Sequence, residues 1–190
     1  GHKLITDETQ LWVAENYMDM GNQQSAMVIL DQLSDENSLP KKLREQYYTL
    51  KAIYAIDNEL WVDASEALKN AIQHTKKRSK KARYYFILAQ ISQLQKKYGV
   101  ATASFKKVLK NRPIYDMEFN TRLKMAQTLM LSDPGSKNIA IKSLKKMLKD
   151  EKNIDYADQI HFTLAEVELA GGNVDGAIES LKESAASSTT

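Results

Sequence analysis

A run of basic and aromatic residues, TKKRSKKARYYF (75–86), is the part of this sequence whose side chains come nearest to a recognisable chemistry. Lysine and arginine bind phosphate, and exposed aromatic rings stack on nucleobases, so the run is typical of a nucleic-acid site. Consecutive helical residues point in different directions and cannot offer their rings side by side. The periodicity places 75–81 in a connection and begins a helix at the aromatics, with Tyr85 at a packing position and Tyr84 and Phe86 flanking it. We therefore expect these rings to pack, and nucleic acid is not the favoured partner.

Groups for catalysis or metal binding are sparse. The chain has no cysteine, which removes disulfides, thiolate metal sites and thiol nucleophiles. His74 and His161 have no metal-ligand spacing to another histidine or to a carboxylate pair, and there is no glycine-rich phosphate loop or nucleophile elbow. Asp155 and Asp158 suit the charged start of a helix better than a catalytic pair. The sequence therefore predicts that the protein is not an enzyme and has no cofactor, catalytic residue or metal site.

The elements that position all these side chains follow from an internal repeat. Alanines recur in pairs twelve residues apart, and the fourth pair has two extra residues that fall in the turn-forming segment LSDPGSKN (131–138). Successive pairs begin 37 to 39 residues apart, which is a period typical of a solenoid. The pairs are Ala14 with Ala26, Ala52 with Ala64, Ala89 with Ala101, Ala126 with Ala140, and Ala165 with Ala177.

Apolar residues around each alanine have helical spacing, so each repeat is expected to be two helices. Small residues at the paired positions let two antiparallel helices approach closely. Gly21-Asn22 and Gly171-Gly172-Asn173 suit a helix end followed by a cap. The sequence predicts one all-α superhelix (solenoid) over 3–190, with about five helix-turn-helix repeats near 7–40, 41–78, 79–115, 116–153 and 154–190.

Three segments resemble tetratricopeptide repeats (TPR): WVAENYMDMGNQQSAMVIL, FILAQISQLQKKYGVATASFKKVLKNRP and TLAEVELAGGNVDGAIESL. The second of these segments belongs to the third repeat, where the likeness is clearest. The family period is about 34 residues, so longer connections or second helices are expected here, and the family glycine beside the first small residue is alanine. The resemblance implies a non-catalytic scaffold for protein–protein interaction. The matching positions of the third repeat are Tyr85, Leu88, Ala89, Tyr98, Ala101, Phe105, Val108 and Pro113.

In a solenoid of paired helices the first helices line a concave groove. The predicted exposed stripe of each first helix is apolar with glutamines, and we expect it to bind a protein or peptide segment. The open alternative is that superhelical curvature or a following repeat covers it. The predicted groove consists of Leu11, Met18, Ile53, Ile56, Arg83, Phe86, Gln90, Gln93, Leu123, Gln127, Met130, Phe162 and Leu169.

The net charge of +3 hides a strong division along the chain. Residues 75–150 carry +15, whereas 1–40 and 151–190 each carry −6. Stacked helices would place three cationic groups on one convex side, which we call the basic flank. Because these cations repel one another, we expect an acidic protein partner to bind there, or anionic lipid headgroups if the parent is a lipoprotein. The alternative is that the basic flank is only a solvated surface. The basic flank consists of Lys76, Lys77, Arg78, Lys80, Lys81, Lys106, Lys107, Lys110, Lys142, Lys145, Lys146 and Lys149.

A narrower resemblance covers 80–126, which is similar to SprE/PorW-type TPR lipoproteins of Bacteroidetes gliding motility and type IX secretion. It implies a location in the cell envelope, on the periplasmic side of the outer membrane, with membrane association through the parent protein. The same residues also suit an ordinary helix start with Asp116 as cap and Phe119 packed inward. The likeness is carried by Pro113, Tyr115, Met117, Phe119, Asn120 and Arg122.

Two further expectations concern the whole chain. The alternative to an envelope component is a cytoplasmic TPR adaptor whose basic flank binds nucleic acid or an acidic partner. Gly1 and His2 resemble a cloning remnant, and the C-terminal SAASSTT has no clear ending. We therefore expect an excised piece of a longer protein, whose partner and oligomeric state the sequence does not reveal.

Overall fold

The computed structural model describes residues 2–33 and 39–188, so residues 1, 34–38 and 189–190 lie outside the described residues. Within those ranges it forms ten α-helices and two short 3-10 helices, Pro134–Ser136 and Glu151–Tyr156. The predicted all-α class is confirmed. The α-helices are α1 (His2–Asp19), α2 (Gln23–Gln32), α3 (Arg44–Asp57), α4 (Trp61–His74), α5 (Arg78–Leu94), α6 (Tyr98–Lys110), α7 (Tyr115–Ser132), α8 (Lys137–Leu148), α9 (Ala157–Ala170) and α10 (Val174–Ser187).

The chain divides into two compact units, Gly1–Ile91 and Ser92–Thr190, with the boundary inside α5. In the first unit α1 packs against α2 and α3, α2 against α3, and α3 against α4. In the second unit consecutive helices from α6 to α10 pack against each other, and α7 also packs against α9. Packing against the next helix and the next but one is the arrangement expected of stacked helix pairs.

The paired alanines are all buried, which confirms that they are packing positions. Larger side chains fill the space around them. Leu11, Leu30 and Leu68 are fully or nearly fully buried in the first unit, and Phe105 and Leu144 in the second. Burial of such side chains stabilises the fold by roughly 1.5–3 kcal/mol each. The helices are therefore stabilised mainly by the packing of their apolar faces rather than by helix propensity.

The turns between paired helices repeat one backbone geometry. Gly21 and Gly172 have φ of 74° and 77°, and Glu59 and Lys96 occupy the corresponding turns with φ of 57° each. In all four turns the next residue donates its backbone N–H to the carbonyl five residues earlier, at 2.8–2.9 Å. This is the Schellman motif, which closes a helix through a left-handed residue. Asn22 and Asn173 then cap the following helices by accepting from the backbone N–H of Ser25 and Gly176, so both predicted turns are confirmed.

The fourth repeat replaces this turn with a longer one, as the two extra residues predicted. Helix α7 ends at Ser132, and Asp133 then accepts hydrogen bonds from the Gly135 N–H (2.9 Å) and the Ser136 hydroxyl (3.0 Å). Helix α8 follows at Lys137, so the insertion lengthens a connection and leaves both helices intact.

Two predictions near helix starts need correction, and a third is confirmed. Helix α5 begins at Arg78 rather than after Lys81, because the Lys77 N–H turns back onto the Thr75 hydroxyl and the Lys77 carbonyl accepts from the Lys81 N–H. The aromatic rings pack as expected, since Tyr84 is buried in the core and the half-buried Tyr85 packs against it. Asp116 is not the cap of α7: the cap position is Ile114, which makes no side-chain cap bond, while Phe119 packs inward as expected.

Candidate functional site

The first helices of the second unit lie side by side through polar contacts. Gln127 Nε2 on α7 donates to Glu166 Oε2 on α9 at 2.5 Å, and Gln93 Nε2 at the end of α5 donates to Thr128 Oγ1 on α7 at 2.7 Å. Phe162 and Leu169 lie one turn before and after Glu166 on α9, with 52% and 60% of their surfaces exposed. Together Gln127, Phe162, Glu166 and Leu169 form an exposed surface, which we call the α7–α9 face.

Three predicted groove residues do not lie on an open surface. Leu11, Leu123 and Met130 are buried, and each belongs to the core of its own unit. Leu123 and Phe162 both line a small depression of about 330 Å³. Helix α9 therefore lies over the part of α7 that carries Leu123. The prediction that these three side chains are exposed is wrong, because an i, i+4, i+7 stripe on one helix continues under the neighbouring helix.

The corresponding surface of the first unit is less open. Gln46 Nε2 on α3 donates to Glu15 Oε2 on α1 at 3.1 Å, which joins these first helices. Ile53 is exposed, whereas Met18 and Ile56 are half-buried against the core. On α5, Arg83 is exposed, and Phe86 and Gln90 are half-buried. Their participation in a groove remains a prediction.

A polar network between α3 and α5, in which only Tyr84 is buried, was not anticipated. Lys80 Nζ lies 2.8 Å from both carboxylate oxygens of Glu45, and the Tyr84 hydroxyl donates to the same carboxylate. Thr49 Oγ1 lies 2.9 Å from the Tyr84 hydroxyl. Burial, followed by the hydrogen bond to Glu45, raises the pKa of Tyr84 to about 12. Lys80 and Tyr84 therefore join two repeats. Tyr84 follows Glu45 by 39 residues, which is within the range of the repeat period, and Lys80 lies one helical turn before Tyr84.

Three cationic residues of α8 and the lysine at its C-cap form one exposed stripe. Lys142, Lys145, Lys146 and Lys149 line a depression of about 400 Å³ with Asn138 and Ile141. No carboxylate lines this depression, so the four ammonium groups dominate its potential. We call these four lysines the α8 lysine stripe.

The remaining members of the predicted basic flank are divided between the two units. Lys106, Lys107 and Lys110 are exposed on α6, which packs on the same helix, α7, as α8 does. Lys76, Lys77 and Arg78 are exposed in the first unit. A single flank across both units stays a prediction.

A larger depression of about 880 Å³ adjoins the α8 lysine stripe. Tyr115, Phe119 and Arg122, three of the residues that carry the narrower resemblance, line it. Arg122 forms an ion pair with Glu118 at 2.7 Å, and the Tyr115 hydroxyl donates to the Lys152 carbonyl at 2.6 Å. These side chains therefore have structural partners, and the depression has both cationic and acidic residues at its rim.

Residues 2–33 and 39–188 contain no group of three or more histidine and carboxylate side chains placed to hold a metal ion. The His74 ring stacks on Tyr48 with a centroid distance of 5.5 Å, and His161 is half-buried on α9. Asp155 lies in the 3-10 helix before α9, and Asp158 lies in the first turn of α9. Over the same described ranges, no helix combines the length and hydropathy needed to cross a membrane.

Comparison with solved structures identifies the architecture. A MamA structure from MSR-1 superposes with a TM-score of 0.67 at 18% identity, over 96% of this chain and 97% of that chain. A second crystal structure of MamA gives 0.72 at 16% identity, over 96% and 91%. A Podosopora anserina protein described as a kinesin light chain with nearly identical TPR-like repeats gives 0.72 at 17% identity, over 95% and 93%. The chain has the tetratricopeptide-repeat fold.

The TPR resemblance of the sequence is thereby confirmed at the level of the fold. No protein-family model matches the chain, and no curated protein is significantly similar to it. At 15–18% identity the structural neighbours establish the TPR architecture alone.

Proposed function

We propose that the chain is a non-catalytic TPR scaffold that binds a segment of another protein on the α7–α9 face. The observation that carries this proposal is the exposure of Phe162 and Leu169 on one stripe of α9, beside the Gln127–Glu166 contact with α7. Large apolar side chains that are half open to water, with polar groups between them, are typical of a surface that binds a peptide.

The chemistry of the α7–α9 face defines the kind of segment that it would hold. Phe162 and Leu169 lie seven residues apart, or two helical turns, so a partner needs two apolar side chains about 10 Å apart. The Glu166 carboxylate and the Gln127 amide between them offer hydrogen bonds to a backbone or a polar side chain. The fit is therefore to an amphipathic helix or an extended strand with two apolar anchors.

The test is capture of partners from an envelope extract of a gliding Bacteroidetes bacterium, followed by mass spectrometry. Phe162→Ser and Leu169→Ser are expected to lose the captured protein, because each removes one exposed anchor. Ile139→Ser is the matched control, since Ile139 is equally exposed on α8. Circular dichroism should show that all three variants keep their helices. Equal capture by all variants would remove the α7–α9 face from the proposal.

The α8 lysine stripe supports a second binding role, for an acidic partner. Four cations on one helix face with no carboxylate among them attract acidic segments. Polyglutamate is a suitable probe, and its binding should fall steeply between 50 and 200 mM salt. Lys142→Glu with Lys145→Glu should abolish binding, whereas Lys106→Glu on α6 should change it less. Tighter binding of duplex DNA than of polyglutamate would favour the alternative, a cytoplasmic adaptor that binds nucleic acid.

At a finer level we propose that the parent is a periplasm-facing lipoprotein of the type IX secretion and gliding machinery. Support comes from the resemblance to SprE/PorW-type proteins over 80–126, and Tyr115, Phe119 and Arg122 of that resemblance line one depression. The test is fractionation of cells that express the tagged parent. Recovery with the outer membrane, together with capture of gliding or secretion proteins, is the expected result, and a parent recovered in the cytoplasm would refute the assignment.

A further inference from the structure

Helix α10 carries an exposed apolar stripe. Val174, Ile178 and Leu181 follow one another at spacings of four and three residues, so they lie on one side of the helix. Their exposed fractions are 55%, 47% and 45%. Ser180 and Ala177 on the same helix are buried, so the stripe is distinct from the side of α10 that packs against α9.

The same position is closed in every other repeat. Leu181 lies four residues after the second alanine of its repeat, and the residues at that position in the other four repeats are Leu30, Leu68, Phe105 and Leu144. Those four are at most 2% exposed. The first helix of the following repeat packs on the second helix where contacts are seen, α3 on α2, α7 on α6 and α9 on α8. The α10 stripe is therefore an open copy of an interface that the chain closes elsewhere with a first helix.

Repeats of a solenoid contact their neighbours through apolar faces, which carry apolar residues at fixed positions of each repeat. Leu181 is apolar and 45% exposed, like the interface residues of the other repeats in type but not in burial. The stripe keeps the chemistry of a repeat interface and fits an amphipathic helix with the spacing of a first helix.

Charge around the stripe selects the occupant. Asp175, Glu179 and Glu183 are exposed on α10, against one cation, Lys182. Residues 151–190 carry −6 in all. A helix whose apolar face is bordered by lysine or arginine would complement this surface.

A second copy of the chain fits less well. Its α1 is a first helix with an exposed apolar pair, Ile5 and Trp12. However, residues 1–40 also carry −6, with Glu8 and Glu15 on α1 itself, so two acidic surfaces would face each other.

We propose that α10 binds a basic amphipathic helix of another protein, which packs on Val174, Ile178 and Leu181 as a first helix packs on the preceding repeat. This surface is separate from the α7–α9 face, so the proposal extends the scaffold function with a second protein partner of defined chemistry. It can hold or fail independently of binding at the α7–α9 face.

The experiment uses the whole chain and a labelled peptide with the sequence of 78–94, a first helix with four cations in its first six residues. Fluorescence anisotropy should show saturable binding. Leu181→Asp is expected to weaken binding at least tenfold, because it places a charge in the apolar stripe. Ile139→Asp on α8 is the control and should bind as the unchanged protein does. Both residues are exposed, so neither variant is expected to unfold.

A charge exchange tests the chemistry of the partner. The peptide with its four cations changed to glutamate should bind at least tenfold more weakly, and Glu179→Lys with Glu183→Lys should reverse that preference. Equal affinity for both peptides would refute the basic partner. A dimer in sedimentation experiments that Leu181→Asp dissociates would assign the stripe to a second copy instead. Absence of binding by a monomeric protein would overturn the proposal.

Discussion

Replacing Lys96 by glycine is expected to stabilise the protein. Lys96 closes α5 with φ of 57°, and Glu59 closes α3 with the same angle. The corresponding turns of the first and fifth repeats have glycine there. All four turns make the same hydrogen bonds, so the lysine and the glutamate adopt a conformation that the motif requires and that their Cβ atoms disfavour.

The magnitude follows from two opposing terms. A residue with a Cβ in the left-handed conformation costs roughly 1–2 kcal/mol. Glycine has more freedom in the unfolded chain, which offsets about 0.5–1 kcal/mol of that gain. The net expectation is about 0.5–1 kcal/mol per site for Lys96→Gly or Glu59→Gly. Gly21→Ala should cost about 1 kcal/mol through backbone strain alone, since a Cβ there meets no atom within 4 Å.

Urea unfolding followed by circular dichroism measures these changes as a shift in midpoint at constant m-value. Lys69→Gly is the control, because Lys69 is exposed within α4 and glycine in a helix interior costs about 1 kcal/mol. The reasoning fails if Lys96→Gly destabilises the protein as Lys69→Gly does, since the left-handed backbone would then carry no strain.

Three further predictions concern contacts between repeats. The folded-state pKa of Tyr84 is about 12, above the usual 10 of an unfolded chain. The protonated Tyr84 hydroxyl therefore contributes its full share to the free energy of unfolding below pH 10, and this contribution is lost as pH rises through 12. Urea titrations should show that the free energy of unfolding falls by roughly 2 kcal/mol more between pH 9 and pH 12 in the unchanged protein than in Tyr84→Phe. The same pH dependence in both proteins would contradict this prediction. A double-mutant cycle of Glu45→Ala and Lys80→Ala should give a coupling of about 1 kcal/mol, which is smaller in 1 M NaCl. Leu144→Ala should cost about 2–5 kcal/mol, whereas Leu181→Ala should cost under 1 kcal/mol because that side chain is already half exposed. Thermal unfolding distinguishes these two, and equal costs would show that α10 is covered in solution.

The architecture could be predicted from the sequence because its signals are local and repeated. Two alanines twelve residues apart fix a helix pair, and the glycine and asparagine after α1 and after α9 fix the turn between its members. Where the turn residue is glutamate or lysine, at Glu59 and Lys96, no residue-type signal marks the left-handed position. The repeat period still locates it, since both follow the first alanine of their repeat by the same seven residues as Gly21 does.

The candidate site was less predictable because it depends on how helices face one another. Helical periodicity gives the direction of a side chain but not the edge of the neighbouring helix, so Leu123 was expected on a surface that α9 in fact covers. The same limit applies to charge. Lys80 and Lys142 belong to similar basic runs, yet Lys80 pairs with Glu45 across two repeats and Lys142 lines an open depression. Only the register between repeats distinguishes a structural cation from one available to a partner.

Leu144 and Leu181 show the same limit in its simplest form. They are the same residue at the same position of successive repeats, and each follows the second alanine of its pair by four residues. One is fully buried and the other is 45% exposed. The difference lies in the next element, because α9 packs on α8 and none of the described helices follows α10. The exposure of a residue at a repeat interface thus depends on whether a neighbouring helix packs on it. An apolar residue at an interface position without that neighbour therefore marks a surface that a further helix can close.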